Sequence, residues 1–290
     1  MMSLLRYLKI PACHSGAALG SRQRSRAGIL TSEERRDELL RNMIDSGAEI
    51  AGGAVGGALG FLAGGPFGAA ALGAGGAAAA VAIKRIGGEI SERFLGSREK
   101  VRTGAVLALA ASEIDERING GESVRDDGFF NQEPDGRSAG GEVVESVLLK
   151  SQREPEEQKL PYMAHLLAAI SFDSGVSAGM AQQLTKLAEQ LTYRQLCLLK
   201  VGVCRKMLHL RESDYRGQGS FNRELLQILY ECHDLYARGL VNFGGEVALG
   251  LADVKPGAME PQGFGAELFN LMKLSTIPDE EALAIAVILR

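Results

Sequence analysis

Cysteine and histidine are scarce in this chain, with four residues of each. The cysteines are Cys13, Cys197, Cys204 and Cys232. They do not follow the spacing of a disulfide framework, which indicates a reducing compartment and argues against a stapled secreted domain. A zinc site built from Cys204, His209, Cys232 and His233 is the alternative, although no pair has the short Cys-x-x-Cys spacing of common zinc sites. We expect core packing for Cys197 and Cys204, no metal and no cofactor.

Strong catalytic signatures are also scarce. The zinc-protease pattern H-E-x-x-H is absent, and the glycine-rich stretches GGAVGGALG and GSREKVRTG lack the Lys-Ser/Thr pair of a phosphate loop. His165 lies among Met163, Leu166 and Leu167, a setting that favours a partnered histidine in a core. The sequence therefore predicts that the protein is not an enzyme.

Charge is absent from residues 51–83, AGGAVGGALGFLAGGPFGAAALGAGGAAAAVAI. Glycine recurs there at every fourth position: Gly52, Gly56, Gly60, Gly64 and Gly68. The segment has no serine and is filled with apolar residues, which excludes a solvated Gly/Ser linker. On a helix, glycines at this spacing form a bare stripe that lets a second helix approach closely. Each glycine costs an isolated helix about 1 kcal/mol relative to alanine, so packing or a bilayer must compensate.

The length of this segment constrains its topology. With Ile50 it comprises 34 residues, more than a single span of about 20, and GGPFG interrupts it near the middle. A break there leaves two arms of roughly 16–18 residues, each about 25 Å long as a helix. Arg41 precedes the segment and Lys84 and Arg85 follow it, which favours both ends on the cytoplasmic side. The pattern predicts a re-entrant or two-span membrane hairpin; the alternatives are a soluble hairpin buried between subunits and simple disorder.

Composition and charge divide the chain into four regions. We expect a basic flexible leader, a glycine-zipper region that associates with membranes, an acidic flexible linker and a helical recognition module, at residues 1–30, 31–118, 119–141 and 142–290 respectively. The leader lacks the uninterrupted apolar run of a secretory signal, and an organellar transit peptide is the alternative. The linker is polar, rich in glycine and acid, and without periodicity.

The last region is dominated by helical signals. Thr192 and Gln195 have the spacing of a capping box, and a further helix is predicted from a Ser220 cap to a Gly239 stop. The apolar runs GLVNF and VALGL, separated by GGE, then predict a β-hairpin, and two more helices follow. This order resembles a winged helix over residues 185–275. The predicted fold class is therefore mainly α, with a glycine-zipper helical hairpin and a winged-helix-like C-terminal part.

A winged helix raises the alternative of a DNA-binding regulator. The helix that would enter the major groove carries two basic and three acidic residues, and the ribbon adds Glu246 without a cation. Phosphate contacts require a basic face. A protein partner is therefore expected for residues 142–290, and nucleic acid is not.

The glycine-rich hairpin and the later stretch EEQKLPYMAHLLAAISFDSGVSAGMAQQLTKLAEQLTYRQLCLLKV together resemble bacterial phage-defence membrane effectors of the abortive-infection alpha kind. The resemblance covers about half of the chain and transfers no catalytic motif. It implies a C-terminal module that senses or assembles and an N-terminal segment that attacks the inner membrane.

These patterns predict a self-assembling effector that associates with a lipid membrane, forms homo-oligomers and is controlled by its C-terminal module. It would reside at the bacterial inner membrane, or in the cytoplasm with conditional insertion. The glycine stripe is expected to pack helices, and Arg41, Lys84 and Arg85 to flank the membrane. The alternatives are a DNA-binding regulator and a soluble oligomeric scaffold.

Overall fold

The computed structural model describes residues 79, 81–83, 85–87, 89, 96–131, 134 and 137–290. This part of the chain is mainly helical and contains a small two-stranded antiparallel sheet, which confirms the predicted helical class. The helices are α1 (Ser97–Asn119), α2 (Ala139–Gln152), α3 (Leu160–Ile170), α4 (Ala178–Gln190), α5 (Tyr193–Leu208), α6 (Arg223–Ala237), α7 (Phe264–Leu271) and α8 (Asp279–Ile288). The strands are β1 (Val241–Phe243) and β2 (Met259–Pro261), and short 3₁₀ turns occupy Glu157–Lys159, Leu251–Asp253, Pro256–Ala258 and Leu274–Thr276.

Local capping signals set the beginnings of several helices. At α5, the Thr192 hydroxyl accepts from the Gln195 amide at 3.2 Å and the Gln195 side chain accepts from the Thr192 amide at 3.0 Å, which confirms the predicted capping box. The cap of α6 is Asn222, whose Oδ1 accepts from the Leu225 amide at 2.8 Å. The prediction of Ser220 as this cap is wrong, because the asparagine side chain satisfies the first-turn amide two residues later.

The apolar faces of these helices meet in one continuous core that extends along the sequence from Ala79 to Leu289. Helix α1 packs against α3 and α2, and α4 covers α2. Helix α5 is surrounded by α8, α7 and the sheet. A Cβ on Gly202 of α5 would lie only 3.1 Å from Cδ of Pro261, so this glycine allows β2 to approach the helix closely.

The two strands pair antiparallel, with Val241 opposite Pro261 and Phe243 opposite Met259. The second strand predicted from VALGL is wrong. The amides of Leu249 and Gly250 donate to Oδ2 of Asp253 at 2.8 and 3.0 Å, so these backbone groups turn the chain instead of pairing with β1. The strand that pairs with β1 is instead β2, which contributes the buried Met259.

The segment between α1 and α2 packs against the core in its described part. The buried Arg125 guanidinium donates to the carbonyl of Val176 at 2.8 Å and lies 3.9 Å from the ring centroid of Phe129. Phe129 and Phe130 are buried, and the Gly140 amide donates to the Phe129 carbonyl at 2.7 Å. Val124, Phe129 and Phe130 thus belong to the core, and the flexibility expected of 119–141 stays a prediction. The segment's role as a domain boundary also stays a prediction.

Candidate functional site

The predicted packing and flanking residues fall mostly outside the described part of the chain. Those outside it are Gly52, Gly56, Gly60, Gly64, Gly68, Arg41 and Lys84. Among the residues that the structure describes, no helix is both long and apolar enough to cross a membrane. Of the predicted set, Arg85 alone is described.

The end of the uncharged segment is built into the helical body. Ala79, Ala82, Ile83 and Ile86 are helical and buried in the same core as α1, α2 and α3. Val81 points away from the core and is 57% exposed. The described residues between 79 and 86 therefore present one face to the protein and the opposite face to the outside.

Arg85 lies beside the first turn of α2. Its Nε is 3.9 Å from Oε1 of Glu89, and its Nη2 would be 3.6 Å from a Cβ added to Gly141. The side chain is about one-third exposed. The guanidinium thus contacts the helical body at the point where the apolar segment joins it, which leaves only part of the group for a lipid headgroup.

A charge cluster centred on the buried Glu113 joins α1, α3 and the bend after α7 through His165 and Lys273. The Glu113 side chain is 1% exposed, its Oε2 contacts Nδ1 of His165, and its Oε1 lies 2.7 Å from Nζ of Lys273. Burial by itself raises the pKa of Glu113, but the hydrogen bond and charge of His165 and the charge of Lys273 outweigh it and hold the pKa below its usual value. Glu113 is therefore the ionised centre of the cluster.

The backbone of Lys273 is unusual. Its φ of 50° lies in the left-handed region, which non-glycine residues seldom adopt. Such conformations cost free energy and persist where the surroundings enforce them. Here the lysine terminates the α7 region and is tied to Glu113 by the ion pair.

An open cavity of about 380 Å³ adjoins this cluster; we call it the Lys273 cavity. Its lining residues are Arg117, Glu122, Ala169, Asp173, Asn270, Leu271 and Lys273. Arg117 forms an ion pair of 2.7 Å with Glu122, and its guanidinium carbon lies 4.0 Å from the ring centroid of Phe172. Cationic, anionic and amide side chains thus converge on one concave surface.

A second candidate is an exposed apolar surface, which we call the α6 surface: Leu226, Tyr230, Val247 and Leu249. Leu226 and Tyr230 are one turn apart on α6, and Tyr230 is 63% exposed. Leu249, which is 86% exposed, lies just before the 3₁₀ turn that packs against α6. Exposed apolar residues that form a contiguous patch are typical of contact sites for other proteins.

The cations near α6 are engaged by carboxylates. Arg205 pairs with Glu260 at 3.2 Å, Arg216 with Asp253 at 2.6 Å, and the buried Lys200 with Asp279 at 2.6 Å. On α6 itself, Arg238 pairs with Asp234 at 2.8 Å. These pairs neutralise a large part of the positive charge that a phosphate backbone would require.

The described cysteines and histidines do not form a metal centre. Cys197, Cys204 and Cys232 are buried free thiols, and no group of three or more His, Cys, Asp or Glu side chains in the described ranges is arranged to hold a metal ion. Burial, reinforced by the charge of Glu281, raises the pKa of Cys197 to about 12. Burial likewise raises the pKa of Cys232.

A serine pattern missed in the sequence is GVSAG at residues 175–179, which matches the G-x-S-x-G of a nucleophile elbow. In the structure, Ser177 is a helix cap. Its φ of −66° and ψ of 162° are unstrained, and its hydroxyl accepts from the Met180 amide at 3.2 Å as the cap of α4. The residues before it form a bend after α3 rather than a strand, so the strand-turn-helix setting of an elbow is not present here.

Sequence reasoning also missed Glu113 and Lys273. The available signal was a carboxylate at an inward position of α1, where Ala110, Ala111 and Ile114 are buried around it. Nothing in the spacing of the sequence connects this position to Lys273.

No family model, curated protein or solved structure matches this chain.

Proposed function

We propose that the protein is a membrane-associating, self-assembling effector whose glycine-rich segment is held and controlled by the C-terminal helical body. The observation that carries this proposal is the uncharged stretch of residues 51–83 with glycine at every fourth position. Ala79, Ala82 and Ile83 at its C-terminal end, and Ile86 just beyond it, are buried in the core of the body. A conformational change in the body would therefore reach the segment through this buried helix.

The stretch has the composition of a helix-packing device. Glycines one turn apart allow the backbones of two helices to approach closely, and such stripes associate helices within hydrocarbon. The two arms on either side of GGPFG form the hairpin, and the glycine stripe joins hairpins from several copies. Arg41 and Lys84 hold its ends at the cytoplasmic surface, because positive residues are retained on that side.

The helical body provides the regulatory part. The α6 surface exposes Leu226, Tyr230 and Leu249, and this supports a protein partner for residues 142–290. The pairing of Arg205, Arg216 and Lys200 with carboxylates favours protein over nucleic acid as that partner. We interpret α5, α6, the sheet and α7 as a winged-helix-like unit that serves this contact.

The resemblance to bacterial phage-defence membrane effectors of the abortive-infection alpha kind suggests the biological setting. In that setting the protein resides at the inner membrane, or in the cytoplasm until a signal drives insertion. Assembly of the hairpins then disrupts the membrane of the infected cell. No cofactor and no catalytic step are needed for this activity.

The proposal is tested by cross-linking and membrane fractionation of the full chain. The double substitution Gly56→Leu and Gly60→Leu blocks close approach along the stripe, and we expect it to abolish cross-linked oligomers and any toxicity. The matched control is Gly179→Leu with Gly219→Leu, since a Cβ at either position meets no atom within 4 Å. Unchanged oligomers in the stripe variant would overturn the proposal.

The DNA-binding alternative has its own test. At physiological salt, the full chain is expected to bind duplex DNA no better than an unrelated acidic protein, because the described cations near α6 are paired with carboxylates. Tight, sequence-dependent binding that is lost in Arg223→Ala would replace the effector with a regulator.

A further inference from the structure

The Lys273 cavity lies where four parts of the fold meet. Arg117 comes from the last turn of α1, Ala169 from the last turn of α3, Asp173 from the bend after α3, and Asn270 from the last turn of α7. Lys273 follows in the left-handed bend. A volume of about 380 Å³ falls within the range of about 300–1,000 Å³ that is usual for small-molecule sites.

Two charged residues at or beside this cavity are held in place at a cost in free energy. Glu113 is ionised and almost fully buried, and its partner Lys273 adopts a backbone conformation that disfavours a side chain. An apolar residue at position 113 would fill the same space without the cost of burying a charge. Retained buried charge beside a cavity is a common mark of a binding site.

The cavity lining carries both cationic and anionic side chains. Lys273 and Arg117 supply two cations, and each retains an exposed part of its side chain. Glu122 and Asp173 supply two carboxylates, and Asn270 adds an amide.

Ala169 and Leu271 are the two apolar residues of the lining, and the ring of Phe172 supports Arg117 from behind. A short ligand with two charged ends would find a partner for each end.

We propose that the Lys273 cavity binds a small zwitterion, an α-amino acid or a short peptide. Its carboxylate is received by Lys273 and Arg117, which exchange part of their contacts with Glu113 and Glu122 for it, and its ammonium group by Asp173, with Asn270 as a further hydrogen-bonding group. A simple anion such as phosphate is disfavoured by Glu122 and Asp173. A simple amine is disfavoured by the two cations.

Ligand binding here would draw Lys273 away from Glu113 and so reach α1, the first fully described helix after the glycine-rich segment. The binding site itself is independent of the proposed membrane function. A protein that never enters a membrane would still bind the zwitterion.

The test is thermal-shift screening and calorimetry of the full chain with the individual common amino acids and glycylglycine. Acetate, butylamine and inorganic phosphate serve as single-charge probes. We expect at least one zwitterion to raise the melting temperature and to bind in the calorimeter, while the single-charge probes do not. Asp173→Asn keeps an acceptor for the Gly175 amide, now 2.8 Å from Oδ1, and should weaken binding about tenfold through loss of one charged contact.

Lys273→Gly removes the ammonium group while suiting the left-handed backbone, and should weaken binding to a similar degree. The matched controls, Asp126→Asn and Lys206→Ala, change exposed residues that do not line the cavity, and should bind as the wild type does. The proposal is overturned if no zwitterion binds, if phosphate binds in its place, or if Asp173→Asn and Asp126→Asn bind equally well.

Discussion

Glu113 on α1, whose side chain is buried, and Lys273 beyond the end of α7, whose side chain is partly exposed, form an ion pair of 2.7 Å. One residue belongs to the first fully described helix and the other to the C-terminal part of the chain. His165 on α3 holds the second carboxylate oxygen of Glu113. The pair therefore fixes the helix that follows the glycine-rich segment to the module proposed to control it.

The titration of Glu113 predicts how stability depends on pH. His165 and Lys273 hold its pKa in the folded protein below the usual value despite burial, which opposes them. Its stabilising contribution is then complete above the unfolded pKa, about 4.3 for glutamate, and is lost as the pH falls through the folded pKa. We expect the free energy of unfolding to fall more steeply below that pH in the wild type than in Glu113→Gln.

The measurement is denaturant unfolding of both proteins between neutral and acidic pH. Glu224→Gln, which changes an exposed glutamate at the start of α6, serves as the control and should follow the wild type. Parallel pH profiles for the wild type and Glu113→Gln would show that this carboxylate is not linked to folding.

The packing of the segment before α2 can be tested at Gly140. A Cβ there would lie 2.3 Å from Cδ1 of Phe130, so Gly140→Val forces the phenyl ring out of its site. We expect a loss of roughly 1–3 kcal/mol in the free energy of unfolding, the usual cost of overpacking. Gly179→Val is the control, because no atom lies within 4 Å of the added Cβ. Equal melting temperatures for the two variants would contradict the packed arrangement.

The size of the folding unit is a further prediction. Val106, Leu107 and Ile114 of α1 are buried in the same core as α3. A fragment of residues 97–290 should therefore unfold cooperatively, whereas one of residues 142–290 should melt at a lower temperature or aggregate, since it exposes the face that α1 covers. Circular dichroism melts of both fragments check this. Equal stability would mean that α1 contributes little to the core.

The three described thiols should be inert in the folded protein. Cys197, Cys204 and Cys232 are buried, and burial raises the pKa of Cys197 to about 12, so little thiolate is present at pH 8. In a Cys13→Ser variant we expect no labelling by a maleimide under native conditions and three labels after denaturation. Rapid native labelling would contradict the burial of these residues.

Local signals predicted a large part of the helical body. The capping box at Thr192 depends on neighbouring residues, and the structure confirms it. The second strand failed because Asp253 captures the amides of Leu249 and Gly250, an effect that hydrophobic alternation does not reveal.

Long-range contacts could not be predicted from the sequence, and the reason is physical. The ion pair of Glu113 and Lys273 exists only after α1, α3 and α7 have packed together, and it leaves no periodic trace in the chain. The same holds for Phe129 and Phe130, which lie in a polar stretch and become core residues through the approach of α2 at Gly140.

The most direct test of the membrane proposal is thiol accessibility in spheroplasts of a bacterial host. Phe67→Cys lies in the predicted turn of the hairpin, and Val81→Cys lies at an exposed position next to the helical body. Each is made in the Cys13→Ser background. We predict that the cysteine at position 81 reacts with a membrane-impermeant reagent only after lysis. The cysteine at position 67 should stay protected in membranes or react from the outer face alone. Free reaction of both in the soluble fraction of an otherwise active protein would contradict membrane insertion and favour a soluble assembly.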